Sequence, residues 1–170
     1  YFNRVYFFGL LIFIMSLFLP ASYSLSGPFI RSQRAFFQLH GNTRYTLDSL
    51  QPGPVSFLKI LPQAIVNSCI RPFPWEGKSP LQSIASIENI FLLAGIVFFV
   101  SGYRKKQPIQ DPLLWLFFYY GITQLIAIGY AVPFPGAIVR YRCIPGLFIF
   151  LFLFSENDLL QEKVTKIFFP

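Results

Sequence analysis

Three stretches of this chain stay apolar for the length of a bilayer crossing, which constrains its fold more than any short motif does. Ile84 to Ser101, Leu113 to Val132 and Ile138 to Phe154 each reach the roughly 17–25 residues that a helix needs to span hydrocarbon. A fourth stretch, Val5 to Ser22, lies near the lower end of that range. Only helices and closed barrels satisfy their own backbone groups in lipid, and the even alternation of barrel strands is absent. The expected fold is therefore all-α, a polytopic transmembrane helix bundle with about four crossings and no sheet. Composition agrees: 54% of residues are hydrophobic and 12% charged, against about 25% charged in soluble domains. Phenylalanine occurs 22 times and methionine once, which suits lipid-facing and interfacial aromatics.

The chain starts at Tyr1, with Arg4 ahead of an apolar run, so residues 1–170 are expected to form a single membrane domain that is part of something longer. Leu19-Pro20-Ala21-Ser22 faintly matches a leader cleavage site, but the apolar run continues through Tyr23 to Leu25, which favours a span. Residues 23–83 then read as one extracytoplasmic loop with interfacial helices. Phe29, Ile30, Phe36, Phe37 and Leu39 mingle there with Arg31, Arg34 and Gln38, as in a segment lying along the membrane surface. His40-Gly41-Asn42 is a turn whose His has no second ligand nearby. After the Gln51-Pro52-Gly53-Pro54 break, Val55 to Ile70 is apolar but short, with Lys59, Pro62 and Asn67 inside it. It is expected to be an interfacial or re-entrant helix.

Arg71 to Glu76 reads RPFPWE, and each proline biases the residue before it towards extended backbone. This piece is thus a stiff elbow just before a span. Trp75 suits the headgroup level, and Arg71 with Glu76 can pair with each other or with a ligand, so the elbow is either an interfacial anchor or a functional site. Glu88, read as lying at a helix start, is favoured there by the helix dipole and expects Arg71 or Arg140 as its partner.

Arg104-Lys105-Lys106, the basic cluster between two spans, marks its loop as cytoplasmic. The tail with Glu156, Asp158, Glu162, Lys163 and Lys166 falls on the same side. Arg71, Arg140 and Arg142 then lie extracytoplasmically at the membrane edge, against the topological bias. On an extended approach to the last span, Arg140 and Arg142 share a face; on a helix they point apart. Guanidinium suits bidentate capture of phosphate or carboxylate. Arg71, Arg140 and Arg142, with Trp75 and Tyr141 beside them, are expected to form one patch for a pyrophosphate-linked lipid or an acidic glycan; the alternative is that they clamp lipid phosphates or pair with Glu76 and Glu88. The net charge of +7 fits anionic lipid or phosphate better than nucleic acid, because the basic residues are scattered. No Cys or His cluster, phosphate loop or nucleophile elbow is present, so no metal and no cofactor is expected. Cys69 and Cys143 read as structural thiols.

RPFPWE, the Ser86-Ile87-Glu88-Asn89 start of a span and the run PGAIVRYRCIPGLFIF from Pro135 to Phe150 together resemble the C-terminal portion of multi-spanning bacterial inner-membrane proteins of surface-polysaccharide assembly, of the O-antigen polymerase and lipid-linked glycosyltransferase kind. The resemblance covers Leu47 to Phe154. It implies a multi-pass plasma-membrane protein that handles a polyprenyl-diphosphate-linked glycan on the periplasmic face, with further spans or protein subunits. Such transferases usually hold their catalytic carboxylate in an early periplasmic loop. Asp48 is the only extracytoplasmic Asp here, and no catalytic residue is carried over. An enzyme would work through arginine positioning with acid–base help from Glu76, Glu88 or Asp48. The other reading is a non-catalytic membrane subunit or scaffold that binds anionic lipid.

Overall fold

A computed structural model of the chain describes residues 2–20, 23–40, 43–76, 80–101 and 111–155. Among these the chain is all-helical, without a strand: α1 (Phe2–Ser16), α2 (Gly27–Gln38), α3 (Pro54–Ile65), α4 (Pro80–Ser101), α5 (Pro112–Ala131) and α6 (Pro135–Ser155). Proline supplies the first or second residue of each helix from α2 to α6. Its fixed φ and missing N–H suit a first turn, whose N–H groups have no helical acceptor anyway. Gly53, just ahead of α3, has φ 115°, which a side chain would strain. The basic cluster Arg104-Lys105-Lys106, the Gly41-Asn42 turn and the tail from Glu156 onward lie outside the described residues.

Two helices, α5 and α6, are long and apolar enough to cross a membrane. Helix α4 has 22 residues and carries the shorter apolar stretch Gln82–Phe98. The first stretch differs from expectation: α1 ends at Ser16 instead of reaching Ser22. Leu17, Phe18 and Leu19 donate to Ile14, Met15 and Ser16 in tightened turns before Pro20. The Ser16 hydroxyl donates to Phe13 O at 2.7 Å and accepts from Leu25 N at 3.3 Å, which folds the chain back. At 1.5 Å per residue α1 is about 22 Å long, short of a bilayer core of about 30 Å.

Burial gathers at one end of the bundle. Leu17, Ile30, Leu50, Phe57, Ile60, Ala64 and Tyr130 form the main core, drawn from the turn after α1, from α2, α3, the segment before α3 and the end of α5. Here α3 crosses α5 so closely that a Cβ on Gly129 would sit 2.1 Å from Ala64 O. Segment 43–50 has no regular secondary structure, and it is held by a backbone hydrogen bond from Tyr45 N to Pro133 O at 2.8 Å and by side-chain amides. Gln33, 1% exposed, donates to Asp48 O and Tyr130 O and accepts from Leu50 N. Gln63 donates to Thr46 O and accepts from Asp48 N. Tyr6, Tyr119 and Trp115 stack in series to tie α1 to α5. Trp115 and Phe118 pack on Phe152 of α6.

Candidate functional site

The elbow is built around unspent carbonyls. Helix α3 continues into a π-helical turn, Val66–Ile70, and stops where Arg71 turns extended at φ −81° and ψ 154°. A helix C-terminus leaves its last carbonyls without intrahelical partners and carries the negative end of the dipole. Proline at 72 and 74 brings no N–H to the region; the Arg71–Pro72 bond is cis. Polar side chains from later helices take up these acceptors. Asn89 of α4 donates to Ile70 O, Arg142 of α6 donates through Nη1 to Arg71 O at 2.9 Å, and Ser86 of α4 donates to Phe73 O at 3.1 Å. Ser86 and Asn89 are three apart and share a helix face, so one face of α4 reads the elbow. Nη1 of Arg142 also donates to Asn89 Oδ1 at 2.7 Å, which fixes the direction of that amide.

Arg71 and Glu76 pair with each other, Nε to Oε1 at 3.0 Å. Glu76 Oε2 accepts from Phe73 N at 3.1 Å, so one carboxylate closes the elbow, and Pro74–Glu76 forms a single 3-10 turn. Arg71 Nη1 donates to Asn67 Oδ1 at 3.0 Å, and its guanidinium lies 4.6 Å over the Tyr45 ring. Burial pushes the Tyr45 phenol up to about 12, Glu76 adds to the rise, and Arg71 and Arg142 oppose it. Trp75 is 79% exposed and stacked on Phe73 at 4.8 Å.

Arg142 is 6% exposed. Its Nη1 serves the elbow and Asn89, while Nε and Nη2 are buried without a hydrogen-bond partner among the described residues. It makes no ion pair among those residues either. Arg142 borders a cavity of 460 Å³ between α4, α5 and α6. Ser68, Cys69, Glu88, Asn89 and Cys143 surround Arg142 at one end, and the walls beyond are Leu, Ile and Phe.

The structure therefore brings Arg71, Glu76, Glu88 and Arg142 to the elbow and its cavity and keeps Arg140 and Tyr141 apart from them. Helix α6 starts at Pro135, so the chain is already helical at Arg140, and two positions along a helix point in different directions. Arg140 is exposed and lies 5.7 Å over the Tyr141 ring, and Tyr141 meets Phe36 of α2 edge-on. Glu88 differs from expectation in two respects. It lies two turns inside α4, beyond reach of the helix dipole, and it pairs with neither Arg71 nor Arg140. It is exposed on the lining of the cavity, and its charge acts on Arg142. Asp48 is held by Lys59 at 3.7 Å on the surface. Cys69 and Cys143 are free thiols on the same cavity. Sequence reasoning missed Ser86, Asn67 and Ser68; their signal was a set of small polar residues inside apolar runs close to the elbow. Among the described residues no group of His, Cys, Asp or Glu is arranged to hold a metal. Compared with protein-family models, curated proteins and solved structures, the chain gives no significant match.

Proposed function

We propose that this chain is a multi-pass membrane protein that handles lipid-linked or acidic glycans in cell-surface polysaccharide assembly, with the elbow on the extracytoplasmic side of the bacterial inner membrane. Support for the membrane setting comes from the exterior. Val5, Phe8, Phe91, Val97, Phe98 and Ile144 are all more than 60% exposed, and apolar surface this extensive needs cover. In this reading α4, α5 and α6 cross, and α1 makes a fourth, short crossing by local thinning of the bilayer.

The observation that carries the glycan reading is Arg142, a permanently charged side chain buried beside apolar walls with two nitrogens unspent. Burying a charge without compensation is costly, and ionisable residues at membrane depth are functional by default. A diphosphate or uronate offers the compensation. Glu76 and Asp48 are held by Arg71 and Lys59, which leaves Glu88 as the cavity carboxylate for any proton transfer. The test is surface-glycan output in cells carrying Arg142→Gln or Glu88→Gln at normal protein level. Loss with Arg142→Gln supports the reading, and full output from both variants rejects it.

The self-contained pairing of Arg71, Glu76, Asn67 and Tyr45 favours a second reading. With Arg71 already engaged by Glu76 and Asn67, the elbow suits a non-catalytic subunit that binds anionic lipid. Normal assembly with unchanged glycan output in the Arg142→Gln cells is the result this reading expects.

A further inference from the structure

Gln124 lies well inside α5, about 18 Å from Pro112 and about 10 Å from Ala131 at 1.5 Å per residue. Its amide makes no hydrogen bond among the described residues, and both amide atoms stay accessible at the surface. The neighbouring Thr123 hydroxyl, by contrast, is spent on Tyr6 of α1 at 2.7 Å. Leu113, Phe117, Tyr120 and Gln124 follow one another at spacings of four, three and four, the seam by which a helix packs against a like helix. Leu113 and Tyr120 are exposed on it. Helix α2 meets α5 only further along, around Ala127, Ile128 and Ala131, so the seam up to Gln124 is open. Phe148 of α6 packs on Phe117 and Tyr120 at 4.9 and 5.3 Å, which makes the open face two helices wide.

We infer that this face docks a second copy of the chain, inserted in the same direction, with the two Gln124 amides exchanging a reciprocal pair of hydrogen bonds across a two-fold axis along the membrane normal. This rests on the membrane reading above, in which α5 crosses. Lipid tails offer an amide neither donor nor acceptor, and Gln lacks the long stem by which Lys and Arg reach the interface. Polar side chains at this depth are satisfied across helices. The occupant that fits is one carrying a donor and an acceptor at the depth of Gln124. A second copy does so by symmetry, because every copy inserted alike holds its own amide at that depth, and an amide is complementary to itself. One polar residue in an otherwise apolar seam also fixes register and the number of partners, as a buried amide does in coiled coils.

The test uses two readouts on the whole chain. In phosphatidylcholine vesicles, energy transfer between donor- and acceptor-labelled copies is followed as the protein is diluted with lipid, for the parent and for Gln124→Leu. The parent is expected to associate, and Gln124→Leu to raise the dissociation constant about tenfold, the loss of one interhelical amide pair. In native membranes, Tyr120→Cys and Val97→Cys are each placed in a chain with Cys69→Ser and Cys143→Ser and oxidised with iodine. Tyr120 shares the seam and Val97 is an equally lipid-exposed position on α4, so a homodimer is expected from the first and not from the second. Equal dissociation constants for the parent and Gln124→Leu overturn the inference, as does cross-linking at Val97→Cys as efficient as at Tyr120→Cys. Cross-linking of Tyr120→Cys to a different protein in place of its own copy overturns it too, by giving the face another occupant. Protein that stays in membranes under alkaline carbonate yet remains monomeric contradicts this inference alone, whereas protein that carbonate releases contradicts the membrane reading and removes the inference with it.

Discussion

Arginine 142 and asparagine 89 together do what neither does alone: the amide bridges a helix-end carbonyl and a guanidinium, and the guanidinium bridges the elbow and the amide. Replacing Asn89 with Leu leaves Ile70 O and Arg142 Nη1 each short of a partner, and a loss of roughly 2–5 kcal/mol in unfolding stability is expected for two buried groups. Asn89→Asp retains an acceptor for Arg142 and is expected to fall between Leu and the parent in a denaturant series. Tyr45 gives a prediction in pH. Its folded pKa, about 12, lies above the ordinary 10, so the neutral phenol is the form that the fold favours. The stability tied to it is present below pH 10 and is lost as pH rises towards 12. Melting temperature should therefore fall less steeply across that window in Tyr45→Phe than in the parent, and equal slopes contradict the assignment. The pairing of Arg71 with Glu76 was legible in RPFPWE, because prolines on both sides of Phe73 leave few directions for the two charges. The isolation of Arg140 was not, since it depends on whether α6 begins before or after Arg140, and the prolines at 133, 135 and 145 each permit a helix start or a kink.

At the scale of elements, the crossing of α3 and α5 is set by Gly129 against Ala64. A methyl at Gly129 meets the Ala64 carbonyl at 2.1 Å, and both partners are backbone-bound, so the helices must separate. Gly129→Ala is expected to cost several kcal/mol, the range of overpacked cores and beyond. Gly136→Ala, with nothing within 4 Å, is expected to be neutral or slightly stabilising, as an alanine in a helix should be. Equal melting temperatures for the two variants contradict the close crossing. Gln33→Leu tests the pinning of segment 43–50: three hydrogen bonds at a site 1% exposed are lost, and the Leu50 N–H is left unsatisfied. A fall of at least about 2 kcal/mol in unfolding free energy is expected. Helices α5 and α6 were legible in the sequence to within a few residues, because apolar length and an initial proline act locally. The end of α1 was not. It is decided by the Ser16 hydroxyl and Leu25, a contact across a turn that hydropathy does not register.

For the whole molecule, polarity and packing run in opposite senses to a water-soluble fold. The packed core lies at the elbow end, with buried polar side chains beside it, while α4 and α6 present Phe, Ile and Leu or Val outward and α5 presents Leu113, Leu116 and Tyr120. In α5 and α6 only 17% and 22% of the most apolar window is buried, so their hydrophobicity is not explained by an interior of their own. On the proposed reading a bilayer would cover the outward face and leave the elbow at its edge. Arg142 is the one buried cation of the described residues, and two of its nitrogens have no hydrogen-bond partner among them, so what compensates its charge decides the proposed reading. The direct measurement is mass spectrometry of lipids retained by the protein after gentle extraction, comparing parent with Arg142→Gln. The proposed function predicts a lipid-linked or acidic glycan on the parent that is depleted in Arg142→Gln, with bulk phospholipid unchanged. Identical retained lipids from two equally folded proteins would show that Arg142 serves the elbow alone and would contradict it.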